Sequence, residues 1–358
     1  MRRRVLWVYR LCGLVLCTFG YGKSTCTVCW MACASAVGVG LEWRGVERHS
    51  VSCMKRADVI ALLGAGFVSV CSGCGPRVTA SDQPGVAESG QESFPRGFVE
   101  IPAGSSKMGP NFWDNSPEVE VEVDAFHLAI AEVTWGEWQR VRNWAKGQGY
   151  VFDQPGEGTA EDHPVHSMTW FDAVRWCNAK SEMEGRAVAY VVKREDGGAE
   201  DVFRKGVWPS AQGVVKWDAP GYRLPTEAEW ERAARGGLVG KTFPNGDELT
   251  PEDAHFHRGP TDEIPIPTAK VKSLKPNGFG LYDMAGNVWE WCWDWHGTGF
   301  YGSVGKNPVG PESGRMRVGR GGGWSNQADN CAVFYRDAFD PADSRPNYGL
   351  RLAVSRAK

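Results

Sequence analysis

The chain has 358 residues, 42% hydrophobic and 23% charged, with a formal net charge of −3; this composition excludes a disordered protein and suits one large globular domain or two small ones. Residues 1–60 hold nine Lys/Arg against three Asp/Glu, which leaves 31 basic and 40 acidic residues, about −9, in the remainder. An acidic body of this kind excludes a nucleic-acid partner gripped through its phosphate backbone.

Eight of the 11 cysteines lie in residues 1–74, so the body, with Cys177, Cys292 and Cys331 alone, is not a disulfide scaffold. Cys26-x-x-Cys29 lacks a second ligand pair at metal-binding spacing. Met54-Lys55-Arg56, an apolar run from Val59 to Val70 and then Cys71-Ser72-Gly73-Cys74 read as a bacterial lipoprotein signal over 54–74, with Cys74 the lipidated residue. Asp58 and Cys71 depart from the strict pattern, so the signal resembles the relaxed lipoprotein signals of spirochaetes; a cleaved signal or a short anchor is the competing reading. Residues 1–53 are then an extension without a role, and translation is expected to start at Met54. Every apolar run here is shorter than the ~18 to 20 residues a helix needs to span a bilayer. Residues 75–95, rich in Gly, Ser, Pro, Gln and Glu, are expected to tether the lipid to a domain over 96–358.

Within that domain, Phe98 to Gly104 opens as a strand and turn, and Val119 to Val123 alternates with Glu120 and Glu122 like an exposed strand. Helical spacing predicts helices over Thr134 to about Trp144 and over Trp170 to Glu182, which makes Cys177 buried packing. The clearest helix start is Thr226-Glu227-Ala228-Glu229, a capping box in which Glu229 bonds back to the Thr226 N–H; Gly236-Gly237 ends the helix. Fourteen of the 17 tryptophans lie between Trp113 and Trp324, so an irregular α+β domain held by aromatic packing is expected.

The densest stretch is Asn277 to Trp295. Period-2 spacing puts Trp289, Trp291, Trp293 and Trp295 on one face of a strand, as core, and Val288, Glu290, Cys292 and Asp294 on the other. Asp283, Glu290 and the Gly286 and Val288 carbonyls flank a tight bend, and oxygen-only donors suit calcium. The alternative is that Asp283 caps the turn and Glu290 pairs with an Arg or Lys.

The motifs Phe98 to Gly104, Glu132-Val133-Thr134, His163-Pro164-Val165 with Trp170, Arg223 to Glu231, Asn277 to Trp295, Arg320-Gly321-Gly322-Gly323-Trp324 and Gly349-Leu350-Arg351-Leu352 resemble, in order, those of the formylglycine-generating enzyme (sulfatase-modifying factor) family. The resemblance implies a variant of the C-type lectin fold, with Gly185 to Pro220 an insertion. It also implies one structural Ca2+ held by the Asp283 and Glu290 side chains and the Gly286 and Val288 carbonyls. The family's second calcium site does not transfer, because His255 stands where an Asn is expected.

In the enzymes of this family a cysteine pair binds Cu(I), with a serine just upstream, and oxidises a substrate cysteine to formylglycine; two soft thiolates hold the copper. Aligning Gly321-Gly322 places Gly323 at the serine, Asn326 at the first cysteine and Cys331 at the second. The family's iron-dependent branch needs a histidine triad; His163-x-x-His166 belongs to a structural motif and His255-x-His257 lacks a third ligand. The expectation is a non-catalytic, lipid-anchored extracytoplasmic protein of a bacterial envelope. It would bind a peptide, glycan or envelope protein through Trp324, Asn326, Gln327, Asp329, Asn330, Tyr335 and Arg336. The alternative is an oxidase that uses Cys331 with Cu(I).

Overall fold

The computed structural model describes residues 12–18, 25–31, 95–110, 117–259, 267–297 and 305–356. The chain divides into two units, residues 1–87 and 88–358. In the first, β1 (Cys12–Thr18) pairs antiparallel with β2 (Thr25–Met31), Cys17 opposite Cys26. The apolar run from Val59, the lipidation candidate Cys74 and residues 75–94 of the expected tether lie outside the described residues. Among the described residues no helix is long and apolar enough to cross a membrane.

The second unit runs β3 (Phe98–Ile101), β4 (Gly104–Met108), β5 (Val119–Val123), β6 (Phe126–Ala129), α1 (Trp135–Ala145) and α2 (Trp170–Met183). It continues with β7 (Tyr190–Val192), β8 (Asp201–Val202), β9 (Gly213–Val215), β10 (Tyr222–Arg223), α3 (Glu227–Ala234) and β11 (Trp289–Trp295). The last elements are β12 (Arg317–Arg320), a 3-10 turn (Ala328–Cys331), β13 (Arg336–Phe339), β14 (Tyr348–Gly349) and β15 (Ala353–Ser355). Two four-stranded sheets, ordered β10-β15-β6-β3 and β13-β12-β11-β14, form the body; β4-β5 is a hairpin, and β8-β7-β9 is a small sheet built by the 185–220 segment. Short strands, three helices and long irregular connections make this an α+β domain.

Each helix starts where a threonine meets a helical pattern. Thr134 accepts from Glu137 N at α1, and Thr169 with Asp172 and Thr226 with Glu229 form capping boxes at α2 and α3. Each such cap stabilises its helix by about 1 kcal/mol. Gly236 and Gly237, at φ 56° and 86°, take the left-handed conformation that stops α3. On β5, Val121 and Val123 are buried while Glu120 and Glu122 are exposed, as its alternation predicts.

Strand β11 departs from its predicted two-faced pattern. Trp289 and Trp291 are buried, Trp293 and Trp295 only partly so, and Glu290, Cys292 and Asp294 on the other face are as buried as the tryptophans. The reason is position: β11 lies inside its sheet between β12 and β14, and α3 covers the polar face. Trp230 Nε1 donates to Glu290 Oε2 (2.7 Å) and Glu227 N donates to Asp294 Oδ2 (2.8 Å). A shift of register between Trp291 and Trp295 breaks the alternation near the end. The other face carries an aromatic cluster in which Trp293 lies 5.3 Å from Trp170 and 5.4 Å from Tyr190.

Candidate functional site

Two segments carry the candidate chemistry: the bend from Asp283 to Glu290 and the segment from Gly323 to Arg336. They meet at Asn287, whose carbonyl accepts from Trp324 N (2.8 Å), and at Trp289, whose Nε1 donates to Asn326 Oδ1 (2.9 Å).

At the bend, Asp283 and Asn287 adopt φ of 57° and 61°, and Gly286 75°. Asn and Asp tolerate this left-handed region better than other side-chain-bearing residues because their short polar groups bond locally. Asp283 Oδ2 accepts from Lys272 N (2.8 Å), and burial pushes its carboxyl up to about 6. Val288 N and Asn287 Nδ2 both donate to Glu132 (3.2 and 2.8 Å). Burial, reinforced by the neighbouring Asp283 and Glu290 carboxylates, raises the Glu132 carboxyl well above the ordinary range. Glu290 is held by Arg351 through Nε (3.0 and 2.9 Å) and Nη2 (2.7 Å), besides the Trp230 indole. Both proposed side-chain ligands therefore serve the fold as well: Asp283 ties down a turn and Glu290 pairs with an arginine.

This arrangement bears on a calcium ion. Among the described residues no group of three or more His, Cys, Asp or Glu is arranged to hold a metal, so a cation here would rely on the Gly286 and Val288 carbonyls with Asp283, sharing Glu290 with Arg351. The donors are all oxygen, as calcium requires. Three buried carboxylates, Glu132, Asp283 and Glu290, surround Arg351, and a bound cation would offset their repulsion.

The second segment separates into an outward and an inward half. Ser325, Gln327 and Asp329 are exposed, with Trp324, Asn326 and Asn330 partly buried. Asn326 is tied down on all sides: Oδ1 accepts from Gly323 N (3.2 Å) and the Trp289 indole, and its carbonyl accepts from His257 N (2.8 Å). Tyr335 and Arg336, expected on the binding surface, are instead turned inward and are corrected to core residues. Arg336 Nη2 donates to Glu227 (2.8 Å) and Tyr335 packs 6.0 Å from Trp289. A guanidinium buried with a glutamate has no charge left over for a ligand.

Cys331 is fully buried among Ala254, Phe256 and Ala285, and burial pushes its thiol up to about 12. A Cβ at Gly322 would lie 2.6 Å from Cys331 Sγ, so the thiol sits against backbone with no room for a ligand on that side. Cys177 and Cys292 are also free and buried. The aligned copper position thus offers one protonated thiol and a carboxamide whose oxygen is already used, which does not fit a Cu(I) bis-thiolate.

Sequence reasoning missed the buried arginines. Arg320 bonds Glu231 and lies 3.5 Å from Glu227, and Arg223 makes two 2.7 Å bonds to Glu229, so the capping-box glutamate does double duty. Arg317 is sandwiched between Trp170 (3.7 Å) and Trp295 (3.4 Å), and burial pushes it down to about 9. The available signal was four arginines, Arg317, Arg320, Arg336 and Arg351, in β12, β13 and the 349–352 motif.

A Gly- and Trp-rich α+β domain of two short-stranded sheets, pinned by buried Arg–Glu pairs around a tryptophan strand, defines a domain of the formylglycine-generating type. The chain belongs to the family described as the sulfatase-modifying factor enzyme 1-like domain, whose model matches residues 83–356. It is 33% identical to the formylglycine-generating enzyme of Streptomyces coelicolor over 78% of this chain and 95% of that one. It is 29% identical to the chaperone protein LppX of Paenibacillus barcinonensis over 75% of this chain and 92% of that one. Among solved structures, the Treponema denticola variable protein 1 matches with a TM-score of 0.60 and 31% identity, over 72% of this chain and 95% of that one.

Proposed function

We propose that this protein is a non-catalytic member of the family, lipid-anchored outside the cytoplasm through Cys74, whose C-type-lectin-like scaffold binds a peptide, glycan or envelope protein. The observation that carries the loss of catalysis is Asn326: at the first copper-ligand position stands a carboxamide held by the Trp289 indole and Gly323 N. Gly323 removes the serine, and Cys331 is left as a buried thiol. Two relatives, the chaperone protein LppX and the variable protein 1, are not named as oxidases, which favours binding over oxidation. The binding surface is Trp324, Gln327, Asp329 and Asn330, with Asn326 as its anchor.

One structural Ca2+ belongs to this proposal, at Asp283, the Gly286 and Val288 carbonyls and a Glu290 shared with Arg351. The loop would gain stability from the ion; no chemistry is routed through it.

Titration of the purified 96–358 domain with Cu(I), competed against a chromophoric chelator, tests the reading. It predicts no stoichiometric tight copper site. One copper bound per chain, lost in Cys331→Ser, would transfer the protein to the oxidases.

A further inference from the structure

Outside the bend and the 323–336 segment, a cleft of about 630 Å³ opens where the 185–220 segment meets the first sheet. None of its lining residues belongs to 323–336. Its lining includes Trp217 and Asp218, just after β9, Asp124 and Phe126 at the start of β6, and Arg356 after β15.

Trp217 is partly exposed but firmly held. Trp293 meets its ring edge-on, centroids 5.8 Å apart at 87°, and the Arg223 guanidinium lies 5.4 Å from the ring centre. Arg223 cannot swing away, because Glu229 grips it through two 2.7 Å bonds and its Nε donates to Ser355 Oγ (3.0 Å). The result is a rigid indole platform that costs little entropy to use. The same cleft is lined by acceptors and donors: the exposed Asp218 carboxylate, the Asp124–Asn307 pair joined at 2.7 and 2.9 Å, and Arg356, which reaches Glu100 at 3.3 Å.

The charges decide the ligand class. Asp124, Asp218 and Glu229 face Lys216, Arg223 and Arg356, three acids against three bases, so the cleft has no net pull on an ion. A ligand with one apolar face and a rim of hydroxyls matches it, because polarised C–H groups lie well on the negative face of an indole while hydroxyls bond to carboxylate, amide and guanidinium. We infer that this cleft binds an uncharged pyranose glycan, stacked on Trp217 and hydrogen-bonded at the rim by Asp218, Asn307 and Arg356. The site is distinct from the 324–330 surface. The 185–220 segment builds one of its walls, so specificity is set by that segment.

Saturation-transfer NMR on the full chain, with maltotriose, cellotriose and chitotriose as probes, tests it. Saturable binding of at least one trisaccharide is expected, weakened by about tenfold or more in Trp217→Ala and by less in Trp217→Phe, with Gln148→Ala, an exposed change beyond α1, unchanged. Absence of saturable binding by all three up to about 10 mM, or equal affinity of Trp217→Ala, would overturn the inference. Should Trp217→Ala fail to fold, Asp218→Ala and Arg356→Ala decide: unchanged affinity in both overturns it as well. Loss of binding in Gln327→Ala but not in the Trp217 variants would move the sugar to the 324–330 surface and equally overturn it.

Discussion

Residues 283–295 and 323–330 are alike on paper, each a glycine turn followed by Trp, Asn and acidic residues, yet they do opposite work. In the first, Glu290 and Asp294 are at most 3% exposed and meet fixed donors from Arg351, Trp230 and Glu227. In the second, Gln327 and Asp329 face solvent, while Asn326 is locked against the Trp289 indole. Polar residues in this fold are thus structural wherever a buried partner reaches them, and the surface that remains for binding is smaller than the polar sequence suggests.

The sharpest way to break this contrast is to remove one half of a buried pair. Glu290→Ala removes the buried carboxylate that both Arg351 and the Trp230 indole bond, and is expected to cost about 3–5 kcal/mol in urea denaturation. A loss below about 1 kcal/mol would mean that the bend is not held by this pair. Next comes the hinge between the two segments: Trp289→Phe removes one donor to Asn326 Oδ1 and is expected to cost about 1–3 kcal/mol. It should also broaden the amide signals of residues 323–327, which a purely local packing defect would leave sharp.

A pH experiment probes the inward region alone. Burial and the nearby Glu227 raise the Asp294 carboxyl from 3.8 to about 8. The folded state therefore favours the protonated form: the stability it contributes is complete below the ordinary pKa of 3.8 and is lost as pH rises through about 8. Asp294→Asn should flatten the decline in Tm between about pH 4 and pH 8; an unchanged slope would assign the decline elsewhere. For the bend, wild type should gain Tm on addition of Ca2+ and Asp283→Ala should not; an identical gain in both would remove Asp283 from the site. The smallest effect belongs to the outward region, where Gln327→Ala and Asp329→Ala should change stability by no more than about 0.5 kcal/mol.

Much of this was legible in the sequence because local rules decided it. The Thr226 cap, the Gly236-Gly237 stop and the alternation of β5 need only neighbours along the chain. What was not legible is long-range pairing. Arg351 and Glu290 lie 61 residues apart and Arg336 and Glu227 109 apart, and no local pattern tells an arginine bound for a core glutamate from one bound for a ligand. For the same reason the burial of Glu290 and Asp294 was not legible: α3, which covers that face of β11, is defined more than fifty residues earlier.

The central claim is that the copper position is lost, and it is tested most directly by incubating the 96–358 domain with Cu(I), dioxygen and a cysteine-containing sulfatase-type peptide and weighing the peptide by mass spectrometry. The account predicts a peptide of unchanged mass. A shift to the mass of the formylglycine product, absent in Cys331→Ser, would contradict it.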